Sequence, residues 1–307
     1  MAPAPAVSNS HEDERAAIMA LMDGASLEMS PREQAAVAAA AAFLAPDTEV
    51  FVSFPPAVSH HDIVSACVAL RRHGLEPVPH VAARALSGFT QLNDLLARAA
   101  GEAGVRRALV IGGDLDPPHG PFHASLDVLS LGLFEKHGFT RLGLAAYPEG
   151  HPRIAEPALD RALAVKLALL RQAGIAAEAV TQFAFAAAPV LAWLDGFHQR
   201  EPFLPVQVGL AGPASIATLA RYAVRCGIGA SISALVSHRT SIARLVTEAG
   251  PEPVIRDLAA ADWRALGVSG VHLFGFGGLE RTARWVNAVT AGDFRLNPDG
   301  RGFTVIS

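Results

Sequence analysis

The chain has few of the features that mark extracellular, membrane or nucleic-acid-binding proteins. Its two cysteines, Cys67 and Cys226, lie far apart and without CxxC spacing, so neither a disulfide framework nor a zinc site is indicated. The formal net charge is −4 and no run of Lys or Arg exceeds two residues, which argues against nucleic-acid binding. No apolar run reaches the roughly 18 residues that span a bilayer, and the N-terminus lacks the pattern of a signal peptide. We therefore expect a soluble cytoplasmic protein without nucleic-acid or membrane partners.

Histidine is plentiful, with twelve residues, but its spacing does not indicate a metal site. His60 and His61 are the only adjacent pair, and no HxH or HExxH motif is present. We expect scattered surface and loop histidines and no bound metal.

Hydrophobic periodicity predicts an α/β fold. Short apolar or β-branched segments alternate with segments of helical period from about residue 25 to residue 290. Eight strands are predicted over 25–29, 49–54, 75–80, 107–112, 140–145, 178–183, 204–209 and 270–275. Repeated βα alternation specifies a parallel sheet, and eight units predict a closed (β/α)8 TIM barrel. The competing fold, an open doubly wound sheet, normally has a Gly-rich turn after the first strand, where this chain has Glu28-Met29-Ser30-Pro31-Arg32.

Because no change of composition marks a second domain, we expect a single barrel. Its predicted bounds are 23–295, between a flexible N-terminal tail at 1–22 and a C-terminal tail at 296–307. Residues 229–267 look helical and predict an extra excursion before the last strand. The alanine-rich segment 35–42 is compatible with a homo-oligomer interface and equally with packing against the barrel.

Polar residues gather where the predicted strands end, which is the face that carries chemistry in such barrels. They are Glu28, Ser53, His80, Asp114, Tyr147, Glu149, His151, Thr181 and Gln182. Each by itself is typical of a turn or helix cap, but agreement among six strand ends indicates one site. The glycines at 112–113 and 275–278 are ambiguous, because glycine suits both a plain turn and close approach of backbone to a ligand.

Several short motifs together resemble the methylenetetrahydrofolate reductases, in particular their single-domain bacterial type. The most specific is AAYPEGHP, followed about thirty residues later by TQF. The matching motifs, over about residues 25–290, are SLEMSP (26–31), PHV (79–81), GGDLDPP (112–118), AAYPEGHP (145–152), QAGI (172–175), TQFAF (181–185) and VHLFGF (271–276). This resemblance implies a barrel that carries FAD, takes hydride from NADH or NADPH, and interconverts 5,10-methylene- and 5-methyltetrahydrofolate.

The resemblance also assigns roles to residues. Glu28 and Asp114 match the family's catalytic carboxylates, and Gln182, Tyr222 and Phe274 match its substrate-binding positions. In the family the glutamate protonates a ring nitrogen of the folate, a task for which burial should raise the pKa of the carboxyl.

A second set of matching positions implies FAD binding, although the match is altered there. Gly112 stands where the family commonly has arginine, so a cation near the flavin is missing. Lys166 is compatible with a phosphate contact and equally with an ordinary helix residue. The implied cofactor-binding residues are Ser53, His80, Gly113, His123, Ala124, Tyr147, His151, Asp160 and Lys166.

These departures leave other hypotheses open. One keeps the folate reaction with weakly bound FAD, or with direct hydride transfer from the nicotinamide. Another is a folate- or flavin-binding barrel without catalysis. The carboxylate of Glu28 argues against it, because a binding protein has little need of an acid at that position. An unrelated barrel enzyme such as a lyase is a further alternative. The sequence leaves open the direction of the reaction, the choice between NADH and NADPH, and the oligomeric state.

Overall fold

The computed structural model describes residues 8–55, 57–226 and 248–306. Eight parallel strands follow one another around a closed barrel, and the last strand pairs with the first. They are β1 (Ser26–Met29), β2 (Glu49–Val52), β3 (Glu76–Ala82), β4 (Arg107–Ile111), β5 (Arg141–Ala146), β6 (Ala176–Thr181), β7 (Val206–Ala211) and β8 (Val268–Phe274). Each overlaps one predicted strand, so the predicted (β/α)8 TIM barrel is confirmed.

Helices surround this barrel. They are α1 (Ser8–Met22), α2 (Val37–Ala41), α3 (His60–Arg72), α4 (Phe89–Glu102), α5 (Ser125–Leu129), α6 (Leu133–Lys136), α7 (Glu156–Gln172), α8 (Ala187–Arg200), α9 (Ile216–Cys226), α10 (Glu252–Ala259) and α11 (Leu279–Thr290). Short 3-10 helices cover Pro31–Ala36 and Ala83–Ala85. In these described ranges no helix combines the length and apolarity needed to cross a bilayer.

Outside the barrel, the described residues form two short antiparallel strand pairs. Ala214–Ser215 pairs with Glu248–Ala249, and Phe294–Leu296 pairs with Phe303–Val305. The predicted helical excursion at 229–267 lies largely outside the described residues, and its described part contains α10.

Helix α3 shows how the sequence sets these helices. Ser59 and Asp62 form a capping box, in which each side chain accepts a hydrogen bond from the other residue's backbone N–H. Apolar residues at helical spacing, including Ile63, Cys67 and Leu70, are fully buried against the barrel. Burial raises the pKa of the Cys67 thiol, so this cysteine is held as an unreactive thiol.

Residues 8–22 are helical, whereas a flexible tail was predicted over 1–22. Residues Ser8–Met22 form α1, which packs against α10 and α11 and buries Ile18, Leu21 and Met22. Arg15 fixes this helix by donating hydrogen bonds to the backbone oxygens of Gly292, at 2.6 Å, and of Phe294. The charged residues at the start of the helix leave no apolar helical period there, and the buried residues occur only in its last two turns.

Shortening one buried side chain of α1 tests this packing. We expect Ile18→Val to lower the free energy of unfolding by about 1 kcal/mol, because it removes one buried methyl group. Urea denaturation followed by circular dichroism gives the value. His11→Gln, at an exposed position of the same helix, is the matched control and should change little. Equal stability of wild type and Ile18→Val would show that α1 is not packed in solution.

Residues 296–306 also belong to the packed structure, whereas a C-terminal tail was predicted over 296–307. The hairpin Phe294–Leu296/Phe303–Val305 brings the rings of Phe294 and Phe303 to a centroid distance of 4.7 Å. Arg256 of α10 donates to the backbone oxygen of Gly302 at 2.9 Å. The predicted boundary at 295 therefore cuts through a strand that belongs to the packed protein.

The alanine-rich segment packs within the chain. Helix α2 lies against α11 and buries Val37 and Ala40. Of the two roles that the sequence left open for this segment, the structure shows packing against the barrel's own helices.

Candidate active site

The barrel interior is layered. Its middle layer is apolar and contains Phe51, Val78, Leu109 and Val180. Toward the N-terminal ends of the strands lies a charged layer that sequence reasoning missed. It consists of Glu49, Arg107, Arg141, Glu178 and Gln207, with ion pairs from Arg107 to Glu49 and from Arg141 to Glu178. The candidate site is the polar layer on the other side of the middle layer, at the carboxyl ends of the strands.

Glu28, at the end of β1, lies between two buried histidines. Its Oε2 atom is 3.6 Å from Nε2 of His80 on β3 and 3.7 Å from Nε2 of His272 on β8. In the described part of the chain neither of these nitrogens has a hydrogen-bond partner within normal distance. A single carboxylate thus faces two imidazoles, and its side chain keeps 16% exposure toward the barrel mouth.

The electrostatics of Glu28 differ from the expectation. Burial by itself would raise the pKa of its carboxyl, but contact with His272 and the nearby charge of His80 outweigh burial and lower the pKa. The raised pKa expected from the sequence belongs to a carboxyl covered by a flavin ring and a pterin; in this structure two flanking imidazoles, which the sequence did not reveal, set the direction of the shift. Burial lowers the pKa of His80, while Glu28 opposes that shift.

The lowered pKa of His80 predicts acid sensitivity. A histidine that folding keeps neutral binds its proton more readily in the unfolded chain, so stability is complete above about pH 6.5 and falls below it. We expect the free energy of unfolding to decrease from pH 6.5 toward pH 5, and His80→Gln to reduce that slope. Urea titrations at several pH values measure it. His73→Gln on the exposed end of α3 is the control, and an unchanged slope in His80→Gln would refute the assignment.

Asp114, Tyr147 and His151 lie together on the opposite wall. The rings of Tyr147 and His151 meet edge to face at 5.0 Å between centroids. Burial and then the charge of Asp114 raise the pKa of Tyr147. Burial and Arg153 lower the pKa of His151, and Asp114 opposes that shift. The AAYPEGHP motif and the aspartate after β4 therefore form one electrostatically coupled group.

Two of the predicted substrate-binding residues, Tyr222 and Phe274, belong to an aromatic cluster. Phe274 packs edge to face against His272, with centroids 4.9 Å apart, and against Phe183 at 5.3 Å. Tyr222 stacks on Phe276 at 4.2 Å, so the protein itself covers one face of this ring. Gln182 is half-buried directly after β6, and its backbone N–H donates to Ala146. Gln182 and Phe274 thus lie at the ends of β6 and β8, and Tyr222 lies on α9, the helix that follows β7.

Several predicted cofactor positions have other partners. The Ser53 hydroxyl donates to the backbone oxygen of Met29 at 3.0 Å, tying β2 to β1. The backbone N–H groups of His123 and Ala124 both donate to Asp127, at 2.7 and 3.0 Å. These groups hold the turn before α5.

Asp160 and Lys166 lie along α7 rather than at the strand ends. Asp160 pairs with Arg200 of α8 at 3.8 Å, and both side chains are about half-exposed. Lys166 is ten residues into the helix, which is about 15 Å along its axis. Burial lowers the pKa of Lys166.

The glycines of GFGG are explained by packing. A Cβ at Gly275 would collide with the backbone oxygen of Glu28, and one at Gly277 with that of Pro213. Gly113 has a φ of 88°, a conformation that favours glycine. The structure thus gives the 275–278 segment a role in strand packing and places a glycine-specific turn at Gly113 beside the site.

One cluster of possible metal ligands occurs among the described residues, at His60, His61 and Asp94. His60 Nε2 contacts Asp94 at 3.0 Å, and its Nδ1 accepts a hydrogen bond from Gln91 at 3.0 Å. His61 Nδ1 contacts the guanidinium of Arg98. These contacts join α3 to α4.

Sequence reasoning missed Ser26 and His272, which are buried within strands beside Glu28. It also missed the half-buried Gln207, which connects Ser26 to the charged layer. The period of two within β1 and β8 was the available signal, because Ser26 shares a face with Glu28, and His272 shares a face with Phe274.

Comparison with known proteins supports the fold. No family model matches the sequence. An uncharacterized protein from Clostridium thermocellum that binds two copies of 5-methyl-5,6,7,8-tetrahydrofolic acid superposes with a TM-score of 0.52 at 10% identity, over 87% of this chain and 93% of that one. This likeness shows a shared barrel fold.

Two synthases are less similar in structure. DHPS from Yersinia pestis with a pterine-sulfa conjugate gives a TM-score of 0.49 at 16% identity, over 87% of this chain and 93% of that one. Dihydropteroate synthase from Thermus thermophilus gives 0.47 at 15% identity, over 87% and 94% of the two chains.

Proposed function

We propose that this protein is an oxidoreductase that interconverts 5,10-methylenetetrahydrofolate and 5-methyltetrahydrofolate, with NADH or NADPH as the other substrate and FAD as cofactor. The observation that carries the proposal is Glu28, a largely buried carboxylate between His80 and His272, on the opposite side of the barrel from Asp114 and Tyr147. The folate-related part also draws support from the neighbour that binds a methylated tetrahydrofolate in a similar barrel.

The proton chemistry follows from the charge state of Glu28. At rest its lowered pKa makes it a carboxylate, which can accept a proton from a folate ring nitrogen in the oxidative direction. In the reductive direction the same group returns that proton. The two imidazoles beside it can hold the proton between these events.

The aromatic cluster and Gln182 serve binding. An amide side chain can pair with the donor–acceptor edge of a pterin, and Phe274 offers a half-buried ring for contact. Tyr222 offers the ring face that Phe276 leaves uncovered. These residues orient the substrate toward Glu28.

The wall formed by Tyr147, His151 and Gly113 fits the ring end of a flavin. The half-buried phenol and imidazole offer an apolar surface, and Gly113 lets backbone approach a planar group. FAD, when bound, supplies hydride transfer between the nicotinamide and the folate-bound carbon. Asp114 beside this wall disfavours added negative charge on such a group.

The diphosphate end of FAD fits less well, which favours a second version of the function. The N–H groups of His123 and Ala124 already bind Asp127, and Asp160 binds Arg200. In this version FAD is held weakly and exchanges, or hydride passes directly from the nicotinamide to the folate.

Reconstitution and half-reaction kinetics test both versions. The purified protein is saturated with FAD, and flavin absorbance is followed during reduction by NADH or NADPH and reoxidation by methylenetetrahydrofolate. We expect both half-reactions. Folate turnover that persists after flavin is stripped and excluded would select the flavin-independent version. No folate turnover with or without FAD would refute the proposed function.

A further inference from the structure

A chain of hydrogen bonds runs from the charged layer to His272, and the donor and acceptor of each bond can be assigned. The side-chain N–H groups of Gln207 point at two carboxylates, Glu49 at 3.4 Å and Glu178 at 3.5 Å. Carboxylates at this position accept hydrogen bonds, and both are paired with arginines. The amide of Gln207 is therefore oriented with its oxygen away from them, toward Ser26.

The orientation of the Gln207 amide determines which way the Ser26 hydroxyl donates. Its hydroxyl donates to Oε1 of Gln207 at 2.7 Å. A hydroxyl has only one proton to donate, so at its contact with Nδ1 of His272, 2.9 Å away, Ser26 accepts. The proton of that bond belongs to the imidazole.

We propose that Gln207 and Ser26 hold His272 in the form protonated at Nδ1, so that the Nε2 atom facing Glu28 carries a proton only as an imidazolium. A neutral ring would direct its Nε2 lone pair at the carboxylate 3.7 Å away. A proton held between Glu28 and His272 therefore lies either on Nε2, as an imidazolium, or on the carboxyl. Within the proposed function, on which this last consequence rests, that is the proton exchanged with the folate.

The surroundings keep His272 in place for this role. Its ring lies 4.4 Å from Phe51 and 4.9 Å from Phe274 between centroids, and it is fully buried. The ionisable groups close to it are Glu28 on β1 and His80 on β3, and the charged layer is reached through Ser26 and Gln207. His272 is thus a positioning residue for Glu28.

Nuclear magnetic resonance of the ¹⁵N-histidine-labelled protein reads the protonation pattern directly. His272→Gln identifies the signals of this ring. We expect wild type to show a protonated Nδ1, with Nε2 bare or protonated as in an imidazolium. In Ser26→Ala the partner of Nδ1 is gone, so we expect the proton to move to Nε2, where Glu28 accepts it. We also expect reoxidation by the folate to slow roughly tenfold, with flavin reduction unchanged.

Two further variants keep the test decisive. Gln207→Met frees the Ser26 hydroxyl to donate to Nδ1, so it should also place the ring proton on Nε2 without altering Ser26. Thr282→Val removes another buried hydroxyl, which donates to Gly278, and should leave the pattern unchanged. A neutral Nε2–H ring in wild type, or an Nδ1–H ring in both Ser26→Ala and Gln207→Met, would overturn the proposal. These spectra need no substrate. The protonation of His272 can therefore be tested even if the proposed reaction is not observed, and the two failures can be told apart.

Discussion

Under the proposed function, Glu28→Gln is expected to slow reoxidation of the flavin by methylenetetrahydrofolate by roughly 10²- to 10⁴-fold, the usual contribution of a general acid–base group. The amide keeps the size of the side chain but cannot exchange a proton with the folate. Reduction of the flavin by the nicotinamide needs no proton from this position, so we expect its rate to stay near that of wild type. Stopped-flow absorbance separates the two half-reactions.

A control variant must show that losing a carboxylate elsewhere in the protein does not change these rates. Glu280→Gln removes one from the start of α11, where Glu280 pairs with Arg284 at 2.8 Å on the surface, and both of its rates should match wild type. Equal loss in both half-reactions of Glu28→Gln would mean that the residue supports the structure of the barrel mouth. Full activity in Glu28→Gln would remove Glu28 from the mechanism.

The barrel strands were predictable because buried parallel strands leave a strong local signal. Each reads as a short apolar run bounded by turn or cap residues, such as Gly74 before β3 and Gly174 before β6. Helix α1 was not predictable in this way, since its buried residues Ile18, Leu21 and Met22 follow the charged run HEDER (11–15). Its helical state depends on tertiary contacts with α10 and α11, which a local pattern does not contain.

The candidate site was predictable only in part, for a related reason. Residues that follow strands, such as Asp114 and Tyr147, interrupt an apolar pattern and are easily noticed. His272 lies inside a strand and meets Glu28 only because the barrel closes between β8 and β1, which are distant in sequence. The direction of the pKa shift at Glu28 depends on that closure, so it could not be derived from the strand-end position of Glu28.

The same closure makes Gly275 a sensitive position. Directly after β8, its Cα lies so close to β1 that an added Cβ would collide with the backbone oxygen of Glu28. Backbone cannot rotate away as a flexible side chain can, so β1 and β8 would have to separate where they join. We therefore expect Gly275→Ala to lower the free energy of unfolding by about 3 kcal/mol, at the upper end of overpacking effects. Denaturant titration followed by tryptophan fluorescence measures this loss.

Gly101→Ala is the matched control for that substitution. Gly101 lies inside α4, is exposed, and has no atom within 4 Å of an added Cβ. Alanine there should raise the free energy of unfolding by about 0.5 to 1 kcal/mol, because glycine loses more backbone entropy in a helix. The two Gly→Ala changes are thus expected to have opposite signs. If Gly275→Ala were as stable as wild type, β1 and β8 would be farther apart than the structure has them, and the distance between Glu28 and His272 would have to be longer as well.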